Sequence, residues 1–167
     1  MGHPGNEAIM PLAEDAHKAG ILMMYQNVDV PEVRAKYGGG YVGADLSTQG
    51  KELGREAIRQ FGFKAGDTAI VMVPVGDYSR AQREDGVRIV FEEHGMKVVV
   101  LDGTPEQATD PNIAIGYIYT ALAANPDTKV LVHTGGQMLG NSETFAKAAG
   151  YGPNELLQIG FDTSPQV

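Results

Sequence analysis

Short apolar runs alternate along this chain with longer segments whose apolar residues recur every three or four positions. The clearest instance is Thr68 to Gly95. Thr68–Val75 is a near-continuous β-branched and apolar run, the pattern of a strand covered on both faces. Gly76 and Asp77 break it. From Ser79 onward Ala81, Val87, Val90 and Phe91 fall at helical spacing with Arg, Glu and Asp between them. The same alternation reappears on either side. Upstream, the pattern predicts a helix over Glu7–Ala19 with Ile9, Leu12, Ala13 and Ala16 on one face and Pro11 near its first turn. A strand over Ile21–Tyr25 follows, with Met23 and Met24 in the core, then a polar connection over Pro31–Tyr37 and a flexible turn over Gly38–Gly40. A short strand, Tyr41–Gly43, leads to a helix capped by Asp45 or Ser47 and ended by Gly62. Downstream it predicts a strand over Lys97–Leu101, a loop over Thr104–Pro111 and a helix over Asn112–Ala124, stopped by Asn125-Pro126-Asp127. A strand over Lys129–His133, a Gly-rich loop over Thr134–Gln137, a helix over Leu139–Ala149 and a last strand over Leu156–Phe161 complete the series.

Strands and helices in this rhythm mean βαβ crossovers. The expected fold is α/β, a three-layer αβα arrangement with a mostly parallel sheet. The middle and end of the chain read as a complete lobe, whereas the first forty or so residues hold too little for an independent sheet. At the other end, Val167 follows the last strand with no helix to cover it.

The 167 residues suffice for one domain with a proper core. A formal net charge of −8 argues against nucleic acid, which requires a basic face to neutralise phosphates, and lends no support to anionic membranes. No apolar run approaches the length of a membrane span. The opening MGHPGNEAIM lacks the basic and apolar regions of a signal peptide. Without cysteine there is no disulfide, thiolate chemistry or cysteine zinc site. His3, His17, His94 and His133 are scattered, with no paired metal-ligand spacing, and the reading implies no metal and no cofactor. Gly38, Gly40 and Gly43 formally match G-x-G-x-x-G, but a polar loop precedes them and a strand stub runs through them, so they read as a turn.

Chemistry concentrates at the carboxyl ends of the predicted strands, where open α/β sheets place ligands. Asp77, Tyr78, Ser79, Arg80 and Arg83 follow the strand beginning at Thr68. Gly135 to Gln137 follow the strand ending at His133, and Asp162 follows the last strand. In a parallel sheet these ends share one edge. Arg83 can donate two parallel hydrogen bonds to vicinal hydroxyls or a carboxylate, or it can pair at the surface with Glu84 or Asp85. Asp162 can accept from two ligand hydroxyls, or cap a turn.

The order AGILMMYQNVD, GGYVGADLSTQGKELG, REDGV, ANPDTKVLV with its Gly-rich loop, and LLQIGFDTSP resembles the type I periplasmic sugar-binding proteins, the group that includes ribose-binding protein and the effector domains of LacI-type repressors. In that family two α/β lobes close on a sugar. The resemblance implies that residues 1–44 are the end of the N-terminal lobe, 45–162 the C-terminal lobe and 163–167 the start of a return crossover, the chain being a fragment of a longer protein. Arg83 matches the family's arginine and Asp162 its aspartate. Gln26 and Asn27 fall where ribose binders carry an Asp-Arg pair, and Gly135 where they carry an asparagine. These departures leave the ligand at a sugar, polyol or similar small polar solute, with Tyr25 and Tyr78 as candidate aromatic faces.

The implied function is non-enzymatic: a solute-binding protein of a bacterial ABC uptake system, its parent periplasmic or an extracellular lipoprotein, with an ABC permease as partner. The alternatives are the effector domain of a LacI-type regulator and an α/β enzyme acting on a sugar or nucleotide. The apolar strand Ile21–Tyr25 lacks partners, which leads us to expect a homodimer through residues 1–44.

Overall fold

In a computed structural model of the protein, residues 6–74 and 78–162 are described. The chain divides into two compact units, Met1–Leu46 and Ser47–Val167.

The second unit carries the sheet. Helix α3 (Leu46–Phe61) enters it from the first unit; its elements otherwise run β3 (Thr68–Pro74), α4 (Tyr78–Glu93), β4 (Lys97–Gly103), α5 (Pro105–Thr109), α6 (Pro111–Ala124), β5 (Thr128–His133), α7 (Gly136–Leu139), α8 (Ser142–Ala148) and β6 (Leu157–Gly160). The four strands lie in the order β4-β3-β5-β6 and every pairing is parallel. Period-two alternation sorts their side chains into two cores. Ala69 and Val71 of β3 and Val130 and Val132 of β5 face one layer, packed with Ala57 of α3 and Val87 and Phe91 of α4. Ile70, Met72 and Leu131 face the other, packed with Ala114, Ile118 and Leu122 of α6 and Phe145 of α8. This is the expected three-layer α/β arrangement, and β3 at its centre is buried on both faces.

Two local readings differ. The segment expected as loop between β4 and α6 contains α5, a single turn closed by a reciprocal capping box: the Thr104 hydroxyl accepts from the Gln107 N–H and the Gln107 side chain accepts from the Thr104 N–H. The helix expected over Leu139–Ala149 is α8, which begins only at Ser142, and a separate short helix, α7 (Gly136–Leu139), starts inside the stretch expected as the Gly-rich loop.

The first unit comprises α1 (Asn6–Lys18), β1 (Met24–Gln26), α2 (Pro31–Tyr37) and β2 (Gly40–Val42). The two strands pair in parallel, Tyr25 opposite Tyr41. Ala13, Tyr25, Val30 and Val33 form its small core, with Ile9, Met10 and Met23 against it. Leu12, expected in that core, is exposed, as are Ile21, Leu22 and Met24. An apolar run is buried on both faces only in a strand flanked by neighbours, and among the described residues β1 pairs with β2 alone. Pro11 lies inside α1 rather than in its first turn. The stretch expected as a polar connection is the helix α2. Pro31 sits at its start, where the missing N–H costs nothing. Arg34 then reaches back to Asp29 with two hydrogen bonds, at 2.8 and 2.9 Å. One buried apolar residue, Val33, carries its packing. The turn after α2 needs glycine: Gly39 has φ +107°, and a Cβ there would stand 2.6 Å from the Met23 carbonyl oxygen.

Candidate functional site

Because the second unit's sheet is parallel, the carboxyl ends of β3, β5 and β6 lie along one edge, where the residues after β5 and β6 meet Arg83 of α4. Val75, Gly76 and Asp77 lie outside the described residues. Tyr78, Ser79 and Arg80 open α4, and only their backbone is described. The candidate ligand residue Asp77 and the side chains of Tyr78 and Arg80 therefore have no structural account.

Arg83 and Asp162 do come together. Arg83, in the second turn of α4, is 8 % exposed. One terminal nitrogen of its guanidinium lies 3.4 and 3.3 Å from the two carboxylate oxygens of Asp162, and the other donates to the Thr134 carbonyl at 3.3 Å. The guanidinium carbon stands 4.6 Å from the centroid of the Phe161 ring. Four groups from three elements thus fix one cation: the α4 backbone, the ends of β5 and β6, and an aromatic face. The alternative pairing of Arg83 with Asp85 is not what forms, since Asp85 pairs with Arg88.

The carboxylate side of this pair is open. The Asp162 side chain is 60 % exposed against 10 % for Arg83, and the three contacts sit at the long end of the hydrogen-bond range. So exposed a pair contributes at most about 1 kcal/mol to the fold. Its value is geometric. A fixed fork of N–H donors beside an exposed carboxylate matches a solute bearing adjacent hydroxyls, which can accept from the first and donate to the second.

Asp162 also holds a φ of +66°, a region that non-glycine residues occupy at a cost of order 1 kcal/mol and that clusters at ligand sites. Asn27, with φ +73°, does the same in the first unit. Its N–H donates to the Val42 carbonyl, and its own carbonyl accepts from the Tyr41 hydroxyl.

Gly135 belongs with the Arg83 group. It caps α7 at an extended φ of 176°, and a Cβ there would stand 3.9 Å from an Asp162 carboxylate oxygen with nothing nearer. Gln137 is exposed on α7. Gln26, the exposed last residue of β1, and Asn27 lie in the first unit. Tyr25 offers no aromatic face to a ligand, being 5 % exposed within that unit's core.

Three contributors escape the sequence reading: Phe161, Thr134 and His133. Thr134 anchors its loop by donating its hydroxyl to the Ala108 carbonyl at 2.7 Å, which steadies the carbonyl that receives Arg83. His133, the last residue of β5, is fully buried against the Phe145 ring. Gln158 donates its amide to the Ser142 carbonyl and so presents its oxygen to His133 Nε2 at 2.8 Å. Nε2 therefore carries the proton, and Nδ1 has no partner among the described residues. Burial, only partly offset by this hydrogen bond, pushes the imidazole pKa down to about 4. A threonine next to a strand and a phenylalanine before an aspartate signal nothing in sequence, since both roles use groups every such residue has.

The family profile described as "Periplasmic binding protein domain" matches residues 3–167. No curated protein matches significantly. Among solved structures, an ABC transporter solute-binding protein from Burkholderia multivorans, holding an unknown ligand, is 24 % identical with a TM-score of 0.79; the alignment covers 95 % of this chain and 55 % of that one. A periplasmic solute-binding protein from Actinobacillus succinogenes with bound D-allose is 24 % identical, TM-score 0.78, covering 97 % and 57 %. A candidate LacI transcriptional regulator from Bacteroides fragilis is 12 % identical, TM-score 0.71, covering 96 % and 54 %. The chain thus spans a little over half the length of the structures it matches.

Proposed function

Because the chain belongs to the periplasmic binding protein family, we propose that it is part of a sugar- or polyol-binding protein of a bacterial ABC uptake system. In this reading residues 45–162 are its C-terminal lobe, residues 1–44 the end of its N-terminal lobe and residues 163–167 the start of a return crossover. Ligand would close the two lobes, and the closed form would dock on an ABC permease outside the cytoplasm. The observation that carries the reading is the guanidinium of Arg83, held on Phe161 and Thr134 beside the open carboxylate of Asp162. Solved structures of the same fold with D-allose and other sugars bound support the ligand class.

Gln26, Asn27, Asp77, Tyr78, Arg80 and Gln137 are proposed to complete the site. The chemistry is binding, not turnover. A second reading, the effector-binding domain of a LacI-type regulator, is favoured by the likeness to the Bacteroides fragilis protein; it keeps the same site and requires a DNA-binding head upstream. The exposed Ile21, Leu22, Met24 and Val42 around β1 and β2 support a homodimer through residues 1–44.

Titration of the isotope-labelled chain with a panel of pentoses, hexoses and polyols tests the ligand class. Amide shifts at Arg83, Thr134 and Asp162 with at least one sugar are expected. Silence at these residues across the panel would contradict the proposal, and release of a chemically altered sugar would turn it towards an enzyme.

A further inference from the structure

The positioning of Arg83 begins behind it, where helix α3 lies against its main chain. Helices α3 and α4 meet along a seam in which backbone lies on backbone. A Cβ added to Gly50 of α3 would stand 1.9 Å from the Arg83 carbonyl oxygen, 2.7 Å from its carbonyl carbon and 3.0 Å from its Cα. From the other side, a Cβ on Gly86 of α4 would stand 2.6 Å from the Ser47 carbonyl oxygen, 2.9 Å from the Lys51 nitrogen and 3.0 Å from Gly50 Cα. Neither glycine has the positive φ that would explain it by backbone conformation; both are there for close approach. One turn further on the approach is milder: a Cβ added to Gly54 would stand 3.1 and 3.2 Å from Val90 Cβ and Cγ1 and 3.4 Å from Val87 Cα.

We propose that Gly50 and Gly86 are positioning residues for Arg83, setting the depth at which its guanidinium meets Phe161, Thr134 and Asp162. The inference rests on the reading of Arg83 as a ligand-binding residue, and deepens it. The main chain of Arg83 is pressed against α3, and its side chain runs to the ends of β5 and β6. A movement of α4 along or away from α3 displaces the base from which the fork reaches Phe161, Thr134 and Asp162. Relieving a 1.9 Å overlap to the 3.0 Å that real Cβ atoms keep requires a displacement of about 1 Å, enough to carry a hydrogen bond out of its working range. The contacts of Arg83 already sit at 3.3–3.4 Å, so they have no slack to absorb it.

The test needs no ligand, so its failure is separable from failure of the sugar reading. The guanidinium Nε–Hε signal of Arg83, identified by its loss in Arg83→Lys, is followed by nuclear magnetic resonance in Gly50→Ala, Gly86→Ala and Gly54→Ala, together with the thermal midpoint of each. Gly50→Ala and Gly86→Ala are expected to move the Arg83 signal by several line widths towards that of a free arginine and to quicken its hydrogen exchange. Gly54→Ala is expected to lower the midpoint and leave the signal in place. A folded Gly50→Ala or Gly86→Ala with the Arg83 signal unmoved overturns the proposal, as does a Gly54→Ala that moves it equally. Failure of the seam variants to fold assigns the glycines to stability of the fold and overturns it too.

Discussion

Acid should loosen this protein through His133 before it titrates most of the carboxylates. The imidazole is fully buried, its pKa lies near 4, and a histidine in the unfolded chain titrates near 6.5. Between these values the unfolded chain binds the proton and the folded one does not. The stability His133 retains is therefore fully present above about pH 6.5 and is lost as pH falls towards 4. The greatest slope is about 1.4 kcal/mol per pH unit, and the whole window amounts to roughly 3 kcal/mol. The paired carboxylates act in the same direction but lower down, with Glu56 held near 2 by hydrogen bonds from Arg59 and Gln60. Urea unfolding between pH 7.5 and 4.5 measures the effect, compared with His133→Phe, which preserves an aromatic ring against Phe145 and cannot titrate. The native protein should lose about 2–3 kcal/mol over that range. The variant starts lower, because the Gln158 oxygen loses its donor, but its profile should be much flatter. A His133 resonance titrating near pH 6.5 in the folded protein, or parallel profiles for the two proteins, would refute the reasoning.

Other perturbations have definite outcomes. Phe91→Ala removes a fully buried ring from between α4 and the sheet and should cost about 3–5 kcal/mol in denaturant unfolding. Gly135→Ala should leave the thermal midpoint nearly unchanged, because its φ is extended and its Cβ position open; a large drop would mean that glycine is demanded there. Light scattering after size exclusion should show a dimer that dissociates when Ile21 and Leu22 are changed to polar residues. A monomer at high concentration would remove the proposed interface.

The sheet was legible where the sequence repeats a strong pattern. Thr68–Met72 is buried on both faces, as its unbroken apolar run implies, and the alternation of Ala69, Ile70, Val71 and Met72 specifies both layers. The first unit was less legible. Its helix α2 rests on Val33 and on the Asp29–Arg34 pair, and neither gives a period to read. Ile21 and Leu22 look like core and stand in solvent, because burial depends on neighbours that a local pattern does not reveal. At the candidate site the strand-end rule brought Arg83, Gly135 and Asp162 to one place. It gave no hint of Phe161 beneath the guanidinium, nor of Gly50 behind the Arg83 carbonyl, since tertiary approach between distant segments leaves no local signature.

The most direct test of the central claim is a sugar titration of the chain and its Arg83→Lys variant, with D-allose included, followed by calorimetry and by amide shifts. Lysine keeps the charge and loses the fork. The account predicts weak binding by the unaltered chain, with shifts centred on Arg83, Thr134 and Asp162. In the variant, affinity should fall about tenfold or more, the loss of one or two charge-assisted hydrogen bonds at roughly 1.5–3 kcal/mol each. Equal affinity in the two proteins, or shifts that cluster away from these residues, would contradict it.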